Sequence, residues 1–194
     1  MKSFFTNEKY GEVIPGLTIE GKPAPYGVVN EREVRAAAGT MFAIGFATFF
    51  VVFFTKNYVL LNVVVTFFWL DFFLKTVFAP RWSIFGFLGR LFVKGQRMEY
   101  VGAIQKRFAW SIGLFLASIM LVFVVGFGVF GWLPIVVCGT CLFFMWMESA
   151  LGICVGCKIY GILVKKGVLP EPEHRPACPG GVCAVDPAIF QKKS

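Results

Sequence analysis

The sequence has little charge and only one histidine. Charged residues make up 15% of its 194 residues, whereas an ordinary soluble domain carries about 25%. It also contains no glycine-rich phosphate-binding loop, no set of serine, histidine and aspartate, and no histidine pair for haem or copper. These absences argue against nucleotide-dependent, triad-dependent hydrolytic and haem-dependent enzymes.

The missing charge leaves long apolar blocks in the chain. Residues 57–78 contain only Asp71 and Lys75 as charged side chains, and residues 108–157 contain only Glu148. Blocks of this length exceed the roughly 20 residues that a helix needs to cross a bilayer. The sequence therefore predicts an all-α membrane protein with four transmembrane helices, placed near residues 36–54, 58–78, 108–130 and 135–157.

The segments around these helices divide the chain further. Residues 1–29 contain repeated proline and glycine and are expected to form an irregular N-terminal arm. The membrane domain is expected to occupy residues 30–166, followed by a flexible, cysteine-containing tail at residues 167–194. Residues 82–94 favour an interfacial amphipathic helix between the second and third spans.

Two local patterns predict how the first span begins and packs. Asn30 followed three residues later by Glu33 is a variant of the capping box that starts helices. Small residues then recur at every fourth position, at Gly39, Ala43 and Ala47, which favours a smooth face for close helix packing.

Basic residues are concentrated on one side of the predicted topology. The loop after the second span and both terminal segments carry nearly all of them, and the two opposite turns carry only Lys56. Because cytoplasmic loops are enriched in Lys and Arg, both termini are predicted to lie in the cytoplasm of a bacterial inner membrane. These loops account for the net charge of +8, so no nucleic-acid partner is expected. No apolar signal segment precedes the first span, which is therefore expected to insert uncleaved.

All six cysteines lie in the last third of the chain and form three pairs. Cys138 and Cys141, towards the outer end of the fourth span, have C-x-x-C spacing, and so do Cys154 and Cys157 near its inner end. Such pairs form redox-active disulfides or bind soft metal ions, and the neighbouring Lys158 favours this reading for the inner pair. The alternative is that cysteine packs as a small apolar residue, which is favoured for the outer pair.

The third pair, Cys178 and Cys183, lies in the glycine-rich tail. It could act as a mobile dithiol that visits Cys154 and Cys157, or it could supply thiolates for a metal ion. The spacing of this pair is not that of a standard zinc knuckle.

Asp71, Lys75 and Glu148 form a second group of candidate functional residues. Ionisable side chains inside a bilayer are costly and usually mark pathways or proton-transfer steps. Asp71 and Lys75 are four residues apart and can neutralise each other on one helix face. The structural alternative is an ion pair whose lysine reaches to the inner membrane surface.

Four stretches together resemble a bacterial membrane family labelled domain of unknown function 4395. They are VNEREVR at residues 29–35, APRWS at 79–83, QKRFA at 105–109 and GICVGCKIY at 152–160. The last is the most specific, because C-x-G-C-K-x-Y at an inner helix end is unusual. The resemblance implies an integral membrane protein, often encoded near thioredoxin-like or rhodanese-like proteins, and it implies no established reaction.

Within the chain, this resemblance points to particular side chains. Cys154 and Cys157 are the candidate reactive pair, with Asn30, Glu31 and Arg35 as polar partners at the inner face. Two C-x-x-C pairs at opposite ends of the fourth span would suit passage of electrons or sulfur across the membrane. The other two cysteine pairs do not belong to the family pattern, which weakens this hypothesis.

The sequence best supports a membrane protein that presents a dithiol for thiol-disulfide or persulfide chemistry. Nearby cations are expected to lower the pKa of its thiols, namely Arg35, Lys106, Arg107 and Lys158. The expected partners are the lipid bilayer and a thioredoxin-like or rhodanese-like protein, and a homo-oligomer is compatible with the pattern. Two alternatives stay open: a transporter or channel for a sulfur oxyanion that uses Asp71 and Glu148 for protons, and a membrane anchor with a structural metal. No cofactor is specified.

Overall fold

The apolar blocks form four long helices. A computed structural model describes residues 9–19, 22–170 and 172 of the chain. Four helices are long and apolar enough to cross a membrane, and they are Glu31–Thr55, Val59–Phe78, Ala103–Gly126 and Trp132–Leu151. The predicted all-α, four-span architecture is confirmed.

The described elements follow a simple order along the chain. The helices are α1 (Glu31–Thr55), α2 (Val59–Phe73), α3 (Ile84–Phe92), α4 (Ala103–Met120), α5 (Trp132–Leu151) and α6 (Val155–Lys165). The strands are β1 (Thr18–Ile19), β2 (Lys22–Pro23), β3 (Val28–Asn30) and β4 (Tyr100–Gly102). The π-helical turns Leu74–Phe78 and Leu121–Gly126 extend α2 and α4, and a short 3-10 turn at Pro80–Trp82 precedes α3.

The bundle has two unlike ends. β3 pairs antiparallel with β4, and α1 and α4 begin directly after these strands, so the two helices start side by side. Arg107 donates to the carbonyl of Thr76, and Lys106 binds Glu148, which brings the ends of α2 and α5 to the same place. We call this the charged end. The α1–α2 and α4–α5 connections form the opposite end, which we call the turn end.

The N-terminal arm was predicted to be irregular, but its described part forms short strands around a small core. β1 and β2 form a short antiparallel hairpin, and Glu12 and Val28 exchange two backbone hydrogen bonds. Ala24, Tyr26 and Val28 are buried together, and Tyr100 of β4 packs against them. The prolines and glycines of this region connect short extended segments around a small core, which composition alone does not reveal.

The predicted start of α1 is confirmed. Asn30 is its N-cap, and the Asn30 side-chain oxygen accepts a hydrogen bond from the Arg32 backbone N–H at 3.3 Å. The Asn30 amide also donates to the Glu33 carboxylate at 3.0 Å. The side chains of the capping pair thus bind each other. The Asn30 oxygen also accepts a hydrogen bond from the Glu99 backbone N–H at 3.2 Å, which holds the first turn of α1 next to the start of β4.

The packing face of α1 differs from the predicted one. Ala43 and Ala47 are exposed, whereas Met41 and Gly45 are buried. A Cβ added at Gly45 would lie 2.8 Å from a methyl carbon of Leu142 on α5. The prediction followed small residues, but the buried face is set by where α3 and α5 lie beside α1, and that is decided by tertiary packing.

Helix α3 lies outside the four spans and packs along α1, as expected for an amphipathic helix. The Ser83 hydroxyl caps it by accepting a hydrogen bond from the Gly86 N–H at 2.8 Å. The ring of buried Phe85 meets Phe68 edge-on, with centroids 5.4 Å apart. At Gly89 the helix touches the carbonyl of Glu33 so closely that any larger side chain would overlap it.

The third and fourth long helices differ from their predicted bounds. The third begins at Ala103, inside a segment expected to be a polar loop. The charges of this segment are compatible with the helix because Lys106 and Arg107 are buried against polar partners there. The fourth ends at Leu151 instead of continuing through residue 157, because Gly152 adopts a left-handed conformation with φ of +66°. The inner cysteine pair therefore starts a separate helix, α6.

Candidate functional site

Cys154 and Cys157 lie at the beginning of α6 and are joined by a disulfide, with Cα atoms 5.2 Å apart. Cys154 is the N-cap residue, and its sulfur accepts a hydrogen bond from the Cys157 backbone N–H at 3.3 Å. The partial positive charge of a helix N-terminus stabilises a thiolate at this position once the disulfide is reduced. Both residues are buried, but Cys154 is 6% exposed and Cys157 only 1%. Cys154 is therefore the more exposed of the two residues.

Gly156, between the two cysteines, brings α6 close to α4. A Cβ at this position would lie 2.5 Å from the Cβ of Ala109. Tyr160, one turn later, is 3% exposed, and its ring centroid lies 5.6 Å from that of Phe108. The C-x-G-C-K-x-Y pattern thus has a physical explanation: the cysteines start the helix, and the glycine and tyrosine fix it against α4.

Arg35 and Lys158 lie beside the break between α5 and α6. The Arg35 guanidinium donates to the Ser149 carbonyl at 3.2 Å and packs against Gly152. It thereby offsets the negative end of the α5 dipole, two residues before Cys154. Lys158 has an exposed side chain, and its backbone N–H donates to the Cys154 carbonyl at 3.2 Å.

Lys106, in contrast, binds two carboxylates. Its ammonium lies 2.7 Å from Glu31 Oε2 and 2.8 Å from Glu148 Oε1, and its side chain is 0% exposed. We call Glu31, Lys106 and Glu148 the buried triad. It joins the beginnings of α1 and α4 to the end of α5. All three residues are candidates in the sequence, but their contact with one another was not predicted. The only feature that pointed to this contact is that each residue lies near a helix end on the same side of the membrane.

The buried triad is incompletely neutralised. Two carboxylates share one ammonium, and Glu31 Oε1 accepts no hydrogen bond from the residues that the structure describes. Breaking a buried ion pair by removing one partner is strongly destabilising, because it leaves an uncompensated charge. Lys106 is therefore expected to be essential to the arrangement of α1, α4 and α5.

The predicted pairing of Asp71 with Lys75 is observed. The fully buried Asp71 carboxylate lies 2.9 Å from the Lys75 ammonium. It also accepts hydrogen bonds from the Ser83 hydroxyl at 2.8 Å and from the Phe85 N–H at 3.0 Å. These contacts attach the start of α3 to α2, and they favour the structural interpretation of Asp71 over a role in moving protons.

Tyr10 is a buried residue that sequence analysis missed. Its hydroxyl donates to the carbonyl of Lys75, and the Arg107 guanidinium lies 4.3 Å from its ring centroid. Burial raises the pKa of this hydroxyl well above its ordinary value. The Arg107 side chain also donates from Nε to the Thr76 carbonyl at 3.0 Å. Arg107 and Tyr10 thus fasten the N-terminal arm to α2 and α4.

The outer cysteine pair has different surroundings. Cys138 and Cys141 are free thiols within α5. They line a cavity of about 50 Å³ together with apolar side chains such as Val65, Met120 and Leu142. This environment supports the interpretation that they pack as small apolar residues.

The sequence also predicted a cysteine pair in the tail and, as an alternative, a metal site. Cys178 and Cys183 lie outside the described residues. Within the described part of the chain, no three side chains of His, Cys, Asp or Glu are grouped so that they could hold a metal ion.

One known family matches most of the chain, including the site around Cys154 and Cys157. Residues 29–165 match the family described as domain of unknown function DUF4395. The chain belongs to this family. The matched region runs from β3 to the end of α6 and includes the disulfide, the buried triad and the Asp71–Lys75 pair. No curated protein and no solved structure matches the chain.

Proposed function

We propose that this DUF4395 protein exchanges electrons with a soluble dithiol protein through Cys154 and Cys157. One observation carries the proposal: the two sulfurs are bonded at the start of α6, and the more exposed of the two residues, Cys154, is the N-cap. Cysteines at helix N-termini in C-x-x-C motifs have lowered pKa values and react readily as thiolates. The partner is expected to be thioredoxin-like, because such proteins present a reactive dithiol.

The proposed exchange proceeds through a mixed disulfide. A thiolate of the partner attacks the Cys154 sulfur, the bond between the two cysteines breaks, and Cys157 leaves as a thiolate. The second partner thiol then attacks its own bridged sulfur and releases Cys154. The protein gains two electrons and two protons as a dithiol, and the partner becomes a disulfide.

A rhodanese-like partner would use the same pair for sulfur transfer. The reduced Cys154 thiolate would attack the outer sulfur of the partner's persulfide and take it, while the partner's thiolate leaves. Cys157 would then attack the Cys154 sulfur, which re-forms the disulfide and releases the transferred sulfur as hydrogen sulfide. Both reactions require Cys154 to be the attacked or attacking sulfur.

The proposed location is a bacterial inner membrane with the charged end in the cytoplasm. This orientation is supported by the basic residues of that end, compared with the single Lys56 of the turn end. The orientation is tested by labelling Cys154→Ala and Cys157→Ala variants with membrane-impermeant maleimide. The other four cysteines are replaced by alanine in both variants, so that one cysteine remains in each. Labelling of that cysteine from the periplasm would reverse the orientation.

Thiol trapping tests the proposed reaction. The full-length protein is equilibrated with glutathione buffers of increasing potential and then alkylated with a heavy maleimide. Two sulfurs should shift together between dithiol and disulfide, and the shift should vanish in Cys154→Ser. A Cys157→Ser variant should trap a mixed disulfide with a thioredoxin-like protein through Cys154. Thiols that stay reduced in every buffer would contradict the proposal.

Transport of a sulfur oxyanion is the weaker alternative. An anion crossing the bundle would pass the central cavity beside Cys138, which is lined by side chains such as Val65 and Leu142. An unpaired charge in such apolar surroundings is costly. Uptake into proteoliposomes that persists in a Cys154→Ser, Cys157→Ser variant would favour transport over redox chemistry.

A further inference from the structure

A large cavity lies at the charged end, separate from the disulfide. Its volume is about 970 Å³, at the upper end of the range of small-molecule pockets. The N-terminal arm, α1, α3, α4, α5 and the end of α2 with its π-helical turn contribute to its walls. Single π-helical turns occur frequently at functional sites. Neither Cys154 nor Cys157 is among the residues that line it.

The described lining of the cavity carries more positive than negative charge. Five basic and three acidic side chains line it. Lys75 is bound to Asp71, and Glu148 is bound to Lys106, so these groups are already neutralised in part. Counting the bound partners Asp71, Lys106 and Glu31 as well gives six basic and five acidic groups, which still leaves one positive charge in excess.

Two of the basic lining residues lie where the cavity meets its exposed edge, which we call its mouth: Arg81 is exposed and Arg90 half-buried. The Arg90 guanidinium donates to the Arg81 backbone carbonyl at 3.2 Å, which connects α3 to the turn before it. Neither arginine forms an ion pair with any residue that the structure describes. Two guanidinium groups that line one opening are suited to a phosphate or carboxylate, which accepts hydrogen bonds from their N–H groups.

Part of the same mouth is apolar. Val77 and Phe78 line the cavity, and they are 42% and 60% exposed. Trp82, next to Arg81, is 59% exposed. Exposed apolar residues followed by tryptophan and arginine mark the boundary between the hydrocarbon and headgroup layers. The cavity therefore opens at the membrane surface, where its mouth carries both arginines and exposed apolar side chains.

We propose that this cavity binds an anionic amphiphile. Its phosphate or carboxylate head lies in the cavity beside Arg81 and Arg90, and its apolar chain leaves past Val77 and Phe78 into the bilayer. Both parts of the ligand are needed: the arginines select the charge, and the apolar part of the mouth selects the chain. Binding of this ligand is independent of the thiol chemistry proposed above.

Native mass spectrometry of the delipidated full-length protein tests the proposal. Phosphatidylglycerol is the anionic probe, phosphatidylcholine is the neutral probe with the same chains, and inorganic phosphate is the headgroup without a chain. Phosphatidylglycerol should bind at least about tenfold more tightly than phosphatidylcholine, and inorganic phosphate should not displace it. Equal binding of the two lipids, or displacement by inorganic phosphate at equal concentration, would overturn the proposal.

The Arg81→Gln, Arg90→Gln variant assigns the site. Loss of two basic groups near the membrane surface should weaken phosphatidylglycerol binding about thirtyfold and leave phosphatidylcholine unchanged. Lys165→Gln, Lys166→Gln is the matched control, because it removes the same charge from exposed positions outside the cavity. An equal loss in both variants would show a general charge effect and contradict the assignment.

Two further measurements keep the test independent of folding. Phe78→Ala should weaken long-chain phosphatidylglycerol about fivefold, whereas Phe54→Ala, a phenylalanine 75% exposed at the turn end, should not. Binding to the unmodified protein should also weaken as ionic strength rises, for the anionic probe only. Salt-independent binding, or the same effect of both phenylalanine variants, would refute the proposed geometry.

Discussion

The two ends of this bundle are held together by different forces. At the charged end, the buried triad, the Asp71–Lys75 pair and the β3–β4 ladder connect the helices. At the turn end, the described contacts include stacked rings, such as Tyr58 and Phe130 with centroids 3.8 Å apart. Apolar contacts between membrane helices compete with equally apolar lipid, so they specify an arrangement weakly. The charged end therefore provides the contacts that specify how the helices are arranged.

The two C-x-x-C pairs show the same contrast on a smaller scale. Cys138 and Cys141 lie inside α5, where the backbone N–H groups are used within the helix. Cys154 lies at the N-cap of α6, where the first N–H groups are available to a sulfur. The same C-x-x-C spacing therefore gives two free thiols within α5 and a disulfide at the start of α6.

The largest expected effect comes from removing the shared ammonium of the buried triad. Lys106→Met should destabilise the protein by about 3–5 kcal/mol, because the fully buried Glu31 and the partly buried Glu148 lose their shared partner. Thermal unfolding in detergent measures this loss. Lys56→Met at the turn end is the control and should change unfolding little, because that side chain is exposed. Similar losses in both variants would show that the charged end has no special role.

A second substitution refines the result for the triad. Glu31→Gln introduced into Lys106→Met should restore part of the lost stability, because it removes one uncompensated buried charge. No recovery would indicate that the lysine acts through packing of its side chain and not through its charge.

The Asp71 carboxylate provides the next largest contrast. Asp71→Asn should cost about 2–3 kcal/mol, because the buried Lys75 ammonium loses its ionised partner. Asn62→Leu, nearer the turn end of α2, is the comparison. Its side-chain oxygen is buried and accepts no hydrogen bond from the described residues, so the substitution should be neutral or stabilising. The denaturation midpoint of Asp71→Asn should fall, and that of Asn62→Leu should rise or stay unchanged.

Two glycines test the packing of the cysteine-bearing helices. Gly156→Ala should cost about 1–3 kcal/mol, because the added methyl group overlaps Ala109. Gly139→Ala in α5 meets no atom within 4 Å, so it should stabilise the helix by about 0.5–1 kcal/mol. Thermal unfolding distinguishes the two. A tolerated alanine at position 156 would mean that α6 is not held closely against α4.

The smallest effect is expected for the outer cysteines. Cys138→Ala with Cys141→Ala should change stability by about 1 kcal/mol or less, because small apolar groups replace small, partly buried thiols. The reductant-dependent maleimide shift should remain, since it comes from Cys154 and Cys157. Loss of that shift in the double variant would mean that the two pairs exchange disulfides.

The sequence made much of this architecture predictable. Four apolar blocks predicted four spans, Asn30 predicted the start of α1, and four-residue spacing predicted the Asp71–Lys75 pair. Each of these depends on local spacing along one helix or on the energy of placing side chains in lipid. The family pattern likewise pointed to Cys154 and Cys157, which form a disulfide at a helix start.

Only the tertiary structure decided which distant groups meet. The buried triad joins residues 31, 106 and 148, and Tyr10 meets Arg107 across nearly a hundred residues. Composition makes such groups costly in a membrane, but it does not say which cation neutralises which carboxylate. The choice follows from how β3–β4 pairing and the close glycine contacts orient the helices. The sequence thus determined that the chain enters a bilayer, and packing determined where its charges, cavity and disulfide lie.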